Sequence, residues 1–321
     1  MAGTMAKWRI LNTLDLSGAL DAVAELEAMG ELVSLPAERA VVLDAVGGFD
    51  AYLASASVRI DEEFLARATR LRVIGSPSTG TDHMEVEAIR KRGIALFDIA
   101  REFDLINSFS ATAELAFGLI LSLARHLPPA VAAAREGDWA RERFSGFQLL
   151  GKTLGILGLG RLGTISARIG NGFAMRVIAH DIRPVEAPGV ETVDFDTLLR
   201  EADILSVHVH LTDRTRGMIG AAELARMKPG ALLINTSRGA VVDEAALLSA
   251  LESGRLGGAG LDVIDGEWLD DKSGHPLIAH AKTHDNLVIT PHIGGATTES
   301  IYGARIFMAR KLADFLRAEA A

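Results

Sequence analysis

The chain has 321 residues, enough for two hydrophobic cores, and its 49% apolar and 23% charged residues are those of an ordinary globular protein, not a disordered one. A net charge of −9 offers no attraction to nucleic acid or an anionic membrane, although local basic residues could still hold a small anion. The absence of cysteine removes disulfides, thiolate metal sites and cysteine nucleophiles together. The first residues, MAGTMAKWRILNTLDL, lack the apolar core of a signal peptide, and the longest strongly apolar run, Leu115 to Ala124, is about half of what spans a bilayer. A soluble cytoplasmic protein with no membrane or nucleic-acid partner is expected.

Residues 1 to about 100 alternate short strands and helices. Strand patterns run over Trp8 to Leu14, Leu32 to Leu35, near Tyr52 to Ser57, Leu71 to Gly75 and Ile94 to Phe97. Helical patterns run over Gly18 to Met29, Ala37 to Ala45, Asp61 to Ala68 and Asp82 to Arg92. Asp61 is placed to cap its helix with a short acceptor side chain, and Gly93 ends the last one. A long helix, Ser108 to Arg125, follows with Leu115, Leu119, Ser122 and Leu123 on one face and Pro128-Pro129 as its stop. It separates two alternating patterns and is the candidate linker between domains.

The stretch Gly151 to Asp181 is the most informative in the chain. An apolar run, Thr153 to Leu157, reads as a strand buried on both faces and ends in Gly158-Leu159-Gly160-Arg161-Leu162-Gly163. A helix with Leu162, Ile165 and Ile169 at helical spacing comes next, then a strand Met175 to Ala179 and Asp181. Gly158 permits the tight turn, Gly160 a close approach to a pyrophosphate, and Gly163 close packing of helix on strand. Asp181 can accept hydrogen bonds from adenosine ribose hydroxyls. Strand, glycines, helix, strand and acid in this order predict a dinucleotide site.

Beyond it, strands are expected at Ile204 to Val209, Ala231 to Asn235, Ala259 to Ile264 and Leu287 to Thr290. Helices are expected around Ala221 to Met227, Asp243 to Glu252 (closed by Gly254) and Thr297 to Ala318. Strands alternating with helices in both halves predict an α/β fold with two doubly wound parallel sheets.

In such sheets ligands bind outside the C-terminal strand ends. Besides the glycines and Asp181, the residues there are His210 to Thr212, Thr236-Ser237-Arg238, Glu267 and His292. Three of them form a coherent set for oxidation of a 2-hydroxy acid or reduction of a 2-oxo acid. His292 titrates near neutral pH and can exchange the proton of the substrate oxygen. Glu267 is placed to raise its pKa and fix its tautomer, and Arg238 supplies a planar cation for a carboxylate. His208 should point into the sheet, while His275, His280 and His284 fall in a polar loop where solvated side chains are expected. With no H-E-x-x-H pattern, no metal is expected.

These motifs resemble the D-isomer-specific 2-hydroxyacid dehydrogenase family, which includes phosphoglycerate dehydrogenases and hydroxypyruvate reductases. The stretches that carry the resemblance are GKTLGILGLGRLG (151–163), HLTDRTRGMIG (210–220), MKPGALLINTSRGAVVDEAAL (227–247), GAGLDVIDGE (258–267) and NLVITPHIGGAT (286–297). STGTDHMEVEAIRKRGIAL (78–96) and SATAELAFGLILSLAR (110–125) look like its N-terminal signatures.

The resemblance implies a Rossmann NAD domain, residues 107–291, inserted into a flavodoxin-like catalytic domain made of residues 1–106 and 292–321. It implies that Arg238 orients a small 2-oxo or 2-hydroxy acid, that Glu267 and His292 are the acid–base pair, and that the backbone around Thr79, Gly80 and Thr81 holds the substrate carboxylate. Gly158, Gly160, Arg161, Leu162, Gly163, Asp181, His210, Thr212, Thr236, Ser237, Asp262, Gly294 and Gly295 would line the cofactor. Two positions depart from the family pattern: Trp268 and His210 each stand where proline is usual. The chain ends 29 residues after His292, so no appended regulatory domain is expected. Asp181 favours NAD over NADP, because a 2′-phosphate would face a carboxylate, although Arg183 could accommodate that phosphate. Family members commonly dimerise through the nucleotide domain, which makes a homodimer the expectation and Phe144, Phe147 and Leu149 its candidate contacts. The competing reading is a dinucleotide-sensing, corepressor-like protein of the same fold without turnover.

Overall fold

The computed structural model describes residues 8–267 and 272–321. Trp268 lies outside the described residues. The chain separates into two compact units, Met1–Phe109 with Ala296–Ala321, and Ser110–Gly295.

The first unit holds five parallel strands: β1 (Trp8–Asn12), β2 (Gly30–Ser34), β3 (Ala51–Leu53), β4 (Val73–Gly75) and β5 (Ala95–Phe97). Their order is β2-β1-β3-β4-β5, the flavodoxin-like arrangement. Successive strand residues point to opposite layers. Leu11, Tyr52 and Ile74 join Val42, Phe64 and Ile89 in one layer, while Ile10, Ala51, Leu53 and Val73 join the other. The second layer is closed by the C-terminal helix Thr298–Ala320, whose Met308 and Leu312 are fully buried. Gly75 makes that closeness possible, since a Cβ there would lie 2.9 Å from Met308 Cγ.

The second unit holds β6 (Thr153–Leu157), β7 (Arg176–His180), β8 (Glu191–Thr192), β9 (Ile204–Val207), β10 (Ala231–Asn235), β11 (Leu256–Leu261) and β12 (Leu287–Ile289). All are parallel, in the order β12-β11-β10-β9-β6-β7-β8. This is the Rossmann order with one strand added, and the winding reverses between β6 and β9, where such sheets open a ligand crevice at the strand C-termini. The apolar helix Ala111–Ala124 packs on one face, burying Ala116, Phe117, Leu119, Ile120 and Leu123.

The structure departs from the sequence expectations at several points. Pro128 and Pro129 do not merely stop the linker helix. They open a new helix, Leu127–Arg135, because the first helical positions need no N–H donor. Helix Phe195–Glu201 lies outside the expected set: it starts at Asp194, whose carboxylate accepts the Thr197 N–H at 2.8 Å, and Phe195, Leu198 and Leu199 at helical spacing face the core. The loop holding His275, His280 and His284 contains helix Pro276–Ala281. His280 is not solvated there but 6% exposed, with Nε2 2.9 Å from Asn286 Oδ1. Strand β11 begins three residues early, in a glycine-rich segment that reads as turn by composition. Its glycines let helix Ala111–Ala124 lie close, since a Cβ on Gly260 would be 2.9 Å from Leu119 Cβ.

Leu149 is 5% exposed in the core of its own unit, which removes it as an intersubunit contact. Trp139 (81%), Leu150 (61%) and Phe147 (36%) are the exposed apolar residues of that segment. The unit boundaries fall at 109/110 and 295/296, a few residues beyond 106/107 and 291/292. Phe109 packs against the core of the first unit, and Ile293 and Gly294 are hydrogen-bonded to Asp262 of the second.

Candidate active site

The glycine turn follows β6. Gly158 has φ +94°, a conformation that side chains rarely adopt, and its N–H donates to His180 O at 2.8 Å. Gly163 is required by packing, because a Cβ there would fall 2.1 Å from Gly158 O. Gly160 differs: a Cβ there would meet nothing within 4 Å except Arg183 Nη2 at 3.9 Å. The protein itself makes no demand for glycine at that position, and the space over it is what a pyrophosphate needs.

Helix Arg161–Gly172 starts at this point, and the N–H groups of a first turn have no intrahelical acceptor. Burial lowers the pKa of the Arg161 guanidinium from its ordinary value. At the tip of β7, Asp181 Oδ2 accepts the Leu159 N–H at 2.9 Å and Oδ1 accepts the Arg183 N–H at 2.9 Å. Burial raises the Asp181 carboxyl, but the Arg183 side chain and these N–H groups outweigh it and hold the pKa below the usual carboxylate value. Thr236, after β10, is 7% exposed and its hydroxyl has no hydrogen-bond partner among the described residues. An open glycine, a helix N-terminus, an acid on the next strand and an orphaned hydroxyl together fit a dinucleotide.

Arg238 sits in the turn after β10. Buried Asn235 builds that turn: its Oδ1 accepts Ser237 N at 3.0 Å and Ser237 Oγ at 2.7 Å, and its Nδ2 donates to Arg238 O at 2.9 Å. The Ser237 hydroxyl is therefore held by Asn235. Arg238 Nη1 donates to Ser237 O at 2.8 Å.

His292 Nδ1 lies 2.7 Å from Glu267 Oε1, with the imidazole half-exposed and the carboxylate mostly buried. The Glu267 hydrogen bond raises the His292 pKa above its ordinary value. Burial and the Arg238 guanidinium oppose the rise, while the Glu267 and Asp262 charges support it. With Nδ1 turned to the carboxylate, Nε2 is the nitrogen left to exchange a proton. His208, by contrast, is pushed down to about 4 by burial, with Nε2 2.8 Å from Ser206 Oγ, so it is neutral near pH 7.

Asp262 follows β11 and is 1% exposed. Its Oδ1 accepts Thr290 Oγ1 at 2.5 Å and Ile293 N at 2.8 Å, and its Oδ2 accepts Gly294 N at 2.7 Å. Its carboxylate thus shapes the loop that carries His292. A Cβ on Gly294 would lie 2.9 Å from Asp262 Oδ2, whereas one on Gly295 would meet nothing within 4 Å. After β9, His210 is exposed, and Thr215 Oγ1 bridges its carbonyl at 2.6 Å to Thr212 N at 2.8 Å.

In the first unit, the turn after β4 carries Thr79, Gly80 and Thr81. It is braced by Ser78 Oγ donating to Gly80 O at 2.8 Å and by Met84 N donating to Thr81 O at 2.8 Å. Asn235 went unmarked in the sequence, although a polar residue closing the apolar run Ala231–Ile234 was the available signal. Glu244 and His275 gave no such signal.

Residues 117–294 match the family model of the NAD-binding domain of D-isomer specific 2-hydroxyacid dehydrogenases. The chain is 40% identical over 292 residues to a glyoxylate reductase of Thermococcus litoralis, covering 88% of this chain and 85% of that one. It is 35% identical over 307 residues to a D-3-phosphoglycerate dehydrogenase of Methanocaldococcus jannaschii, covering 94% of this chain but 56% of that one. The chain therefore spans little more than half the length of that longer relative. Among solved structures, a D-lactate dehydrogenase of Aquifex aeolicus complexed with NAD and lactic acid superposes with a TM-score of 0.82 at 26% identity, over 97% of this chain and 96% of that one. The chain belongs to the D-isomer specific 2-hydroxyacid dehydrogenase family and is an oxidoreductase acting on CH–OH groups with a nicotinamide dinucleotide.

Proposed function

We propose that the protein interconverts a small, unphosphorylated 2-oxo acid and its D-2-hydroxy acid, prefers NAD to NADP, and works as a soluble homodimer. The observation that carries this reading is the 2.7 Å His292–Glu267 contact at the C-terminal edge of the sheet that bears the glycine turn. When bound, a nicotinamide dinucleotide supplies or accepts the hydride at the substrate carbon. In reduction, His292 Nε2 gives its proton to the carbonyl oxygen, and Glu267 stabilises the imidazolium beforehand. In oxidation, neutral His292 takes the hydroxyl proton. Arg238 pairs with the substrate carboxylate.

A small unphosphorylated acid is favoured because the Ser76 to His83 turn contains no lysine or arginine to neutralise a phosphate. NAD is favoured because Asp181 would face a 2′-phosphate. Exposed Trp139, Phe147 and Leu150 support a second copy as the partner of that face.

A reductase screen of glyoxylate, hydroxypyruvate, phosphohydroxypyruvate, pyruvate and bulkier 2-oxo acids, with NADH and NADPH in parallel, tests the reading. Turnover of the unphosphorylated small acids with NADH is expected. His292→Ala should lower that turnover by a factor on the order of 10² to 10⁴ while dinucleotide binding persists. Tight dinucleotide binding without turnover of any 2-oxo acid would instead favour a sensing role.

A further inference from the structure

Behind Glu267 stands a second acid–imidazole pair, outside the glycine turn and outside the Arg238, Glu267 and His292 set. Glu244, in the first turn of helix Glu244–Glu252, and His275, just before helix Pro276–Ala281, are both largely buried, with side chains 19% and 15% exposed. Glu244 Oε2 is 3.1 Å from His275 Nε2, and Glu244 Oε1 accepts the Asp265 N–H at 2.8 Å. The same His275 Nε2 lies 3.3 Å from Asp265 O. Both peptide groups of Asp265 are thus gripped, the N–H by the acid and the carbonyl by the imidazole. Gly266 then turns the chain with φ +74°, and the next residue is Glu267.

The hydrogen-bond inventory fixes the state that does this. His275 Nε2 faces two acceptors and so carries the hydrogen, while its Nδ1 is buried with no partner among the described residues. Glu244 uses both oxygens as acceptors, the ionised form. Burial raises its carboxyl above the ordinary value, and the Asp265 N–H and His275 oppose that rise. Among the described residues, the groups acting on the Glu244 carboxyl are His275 and Asp265, and those acting on His292 are Glu267, Arg238 and Asp262.

We infer that Glu244 and His275 are positioning residues for the acid–base pair: they clamp the Asp265 peptide so that the Gly266 turn delivers the Glu267 carboxylate to His292 Nδ1. This rests on the acid–base reading of His292 and Glu267. A clamp that served stability alone would leave the protonation of His292 unchanged when removed from a protein that still folds.

The test is NMR titration of the His292 ring in the full chain, with reductase pH profiles alongside. In His275→Ala and Glu244→Ala the His292 pKa should fall toward the ordinary imidazole value, and turnover should drop about ten- to a hundredfold with dinucleotide Kd nearly unchanged. His275→Gln, whose amide N–H can donate to the same two acceptors, should bring the His292 titration back toward that of the unaltered protein. If His275→Ala does not fold, Glu244→Gln is the milder version. It keeps an oxygen for the Asp265 N–H and loses the acceptor for His275, and it should move the titration the same way. An unshifted His292 titration in a folded clamp variant overturns the inference whatever the kinetics do. A shifted titration that the reductase profile does not follow supports the clamp and overturns the acid–base role of His292 instead.

Discussion

His292 N–H donates to Asp262 O at 2.9 Å while His292 itself holds a φ of 53°, in the left-handed region that non-glycine residues rarely adopt. That conformation costs on the order of 1 kcal/mol or more. It persists because the Asp262 carboxylate also takes Thr290 Oγ1, Ile293 N and Gly294 N, which leaves the loop one way to run. Asp262→Asn keeps one oxygen and turns the other into a donor facing a donor, at a cost of about 1–3 kcal/mol. Thermal unfolding should register that loss. kcat/KM should fall on the order of 10- to 100-fold as His292 leaves its orientation. Equal kcat/KM and equal Tm would show that the loop does not depend on this carboxylate.

The raised His292 pKa sets the direction of the pH dependence. Glu267 holds the imidazolium, so the pair is complete just below the ordinary imidazole pKa, where the carboxylate is ionised, and is lost as pH rises through the elevated folded-state value. Reduction, which needs the proton, should fall on the alkaline side of that value, and oxidation, which needs the neutral ring, should rise there. Glu267→Gln removes the charge, and both limbs should move to lower pH. Stability follows the same sign, with the pair contributing below the ordinary imidazole pKa and nothing above the raised one. Superimposable profiles for the two proteins would break the assigned pairing.

The strand ends were legible in the sequence because buried parallel strands are short apolar runs, and whatever follows them must lie at the sheet's edge. Gly158, Asp181, Arg238 and His292 could be placed that way. What such a residue does once there is a matter of hydrogen-bond geometry, which periodicity does not encode. The resemblance implies that Asp262 and Ser237 line the cofactor; the geometry adds that the carboxylate of one organises the His292 loop and the hydroxyl of the other is held by Asn235. By sequence Glu244 is one acid within the helix Asp243 to Glu252, and His275 falls in a polar loop where solvated side chains are expected. Their partnership joins two helix starts that only the folded sheet brings together. Helix Leu127–Arg135 has no buried residue, so no core-facing stripe marked it.

Two glycines of the fingerprint should fail differently. Gly163→Ala places a Cβ 2.1 Å from Gly158 O, a clash with backbone that cannot relax cheaply, so the protein without dinucleotide should lose stability. Gly160→Ala meets only the end of the Arg183 side chain at 3.9 Å, so unfolding without dinucleotide should be nearly unchanged. Its cost should appear in dinucleotide affinity, about tenfold or more, because the added methyl occupies space a pyrophosphate would use. Calorimetric titration with NAD and thermal melts of both variants separate the two effects. A Gly160→Ala protein with full affinity would place the pyrophosphate elsewhere.

Asp181 and Arg183 set the cofactor choice jointly. Arg183 Nε lies 3.2 Å from Asp181 Oδ1 and Nη2 lies 3.4 Å from Oδ2, so the acid holds a neighbouring guanidinium that a 2′-phosphate would seek. The guanidinium is otherwise well exposed, at 64%. Asp181→Asn keeps an acceptor for the Leu159 N–H, cancels the repulsion and loosens Arg183. It should raise the NADP-to-NAD ratio of kcat/KM by about tenfold or more, the scale of one charge-assisted hydrogen bond. Arg183→Ala alone should change the ratio little, because the carboxylate still repels the phosphate. In the Asp181→Asn background the same change should remove most of the gain, and that coupling is the signature of two residues acting on one phosphate. A ratio that Asp181→Asn leaves unmoved would mean that the acid does not face the ribose.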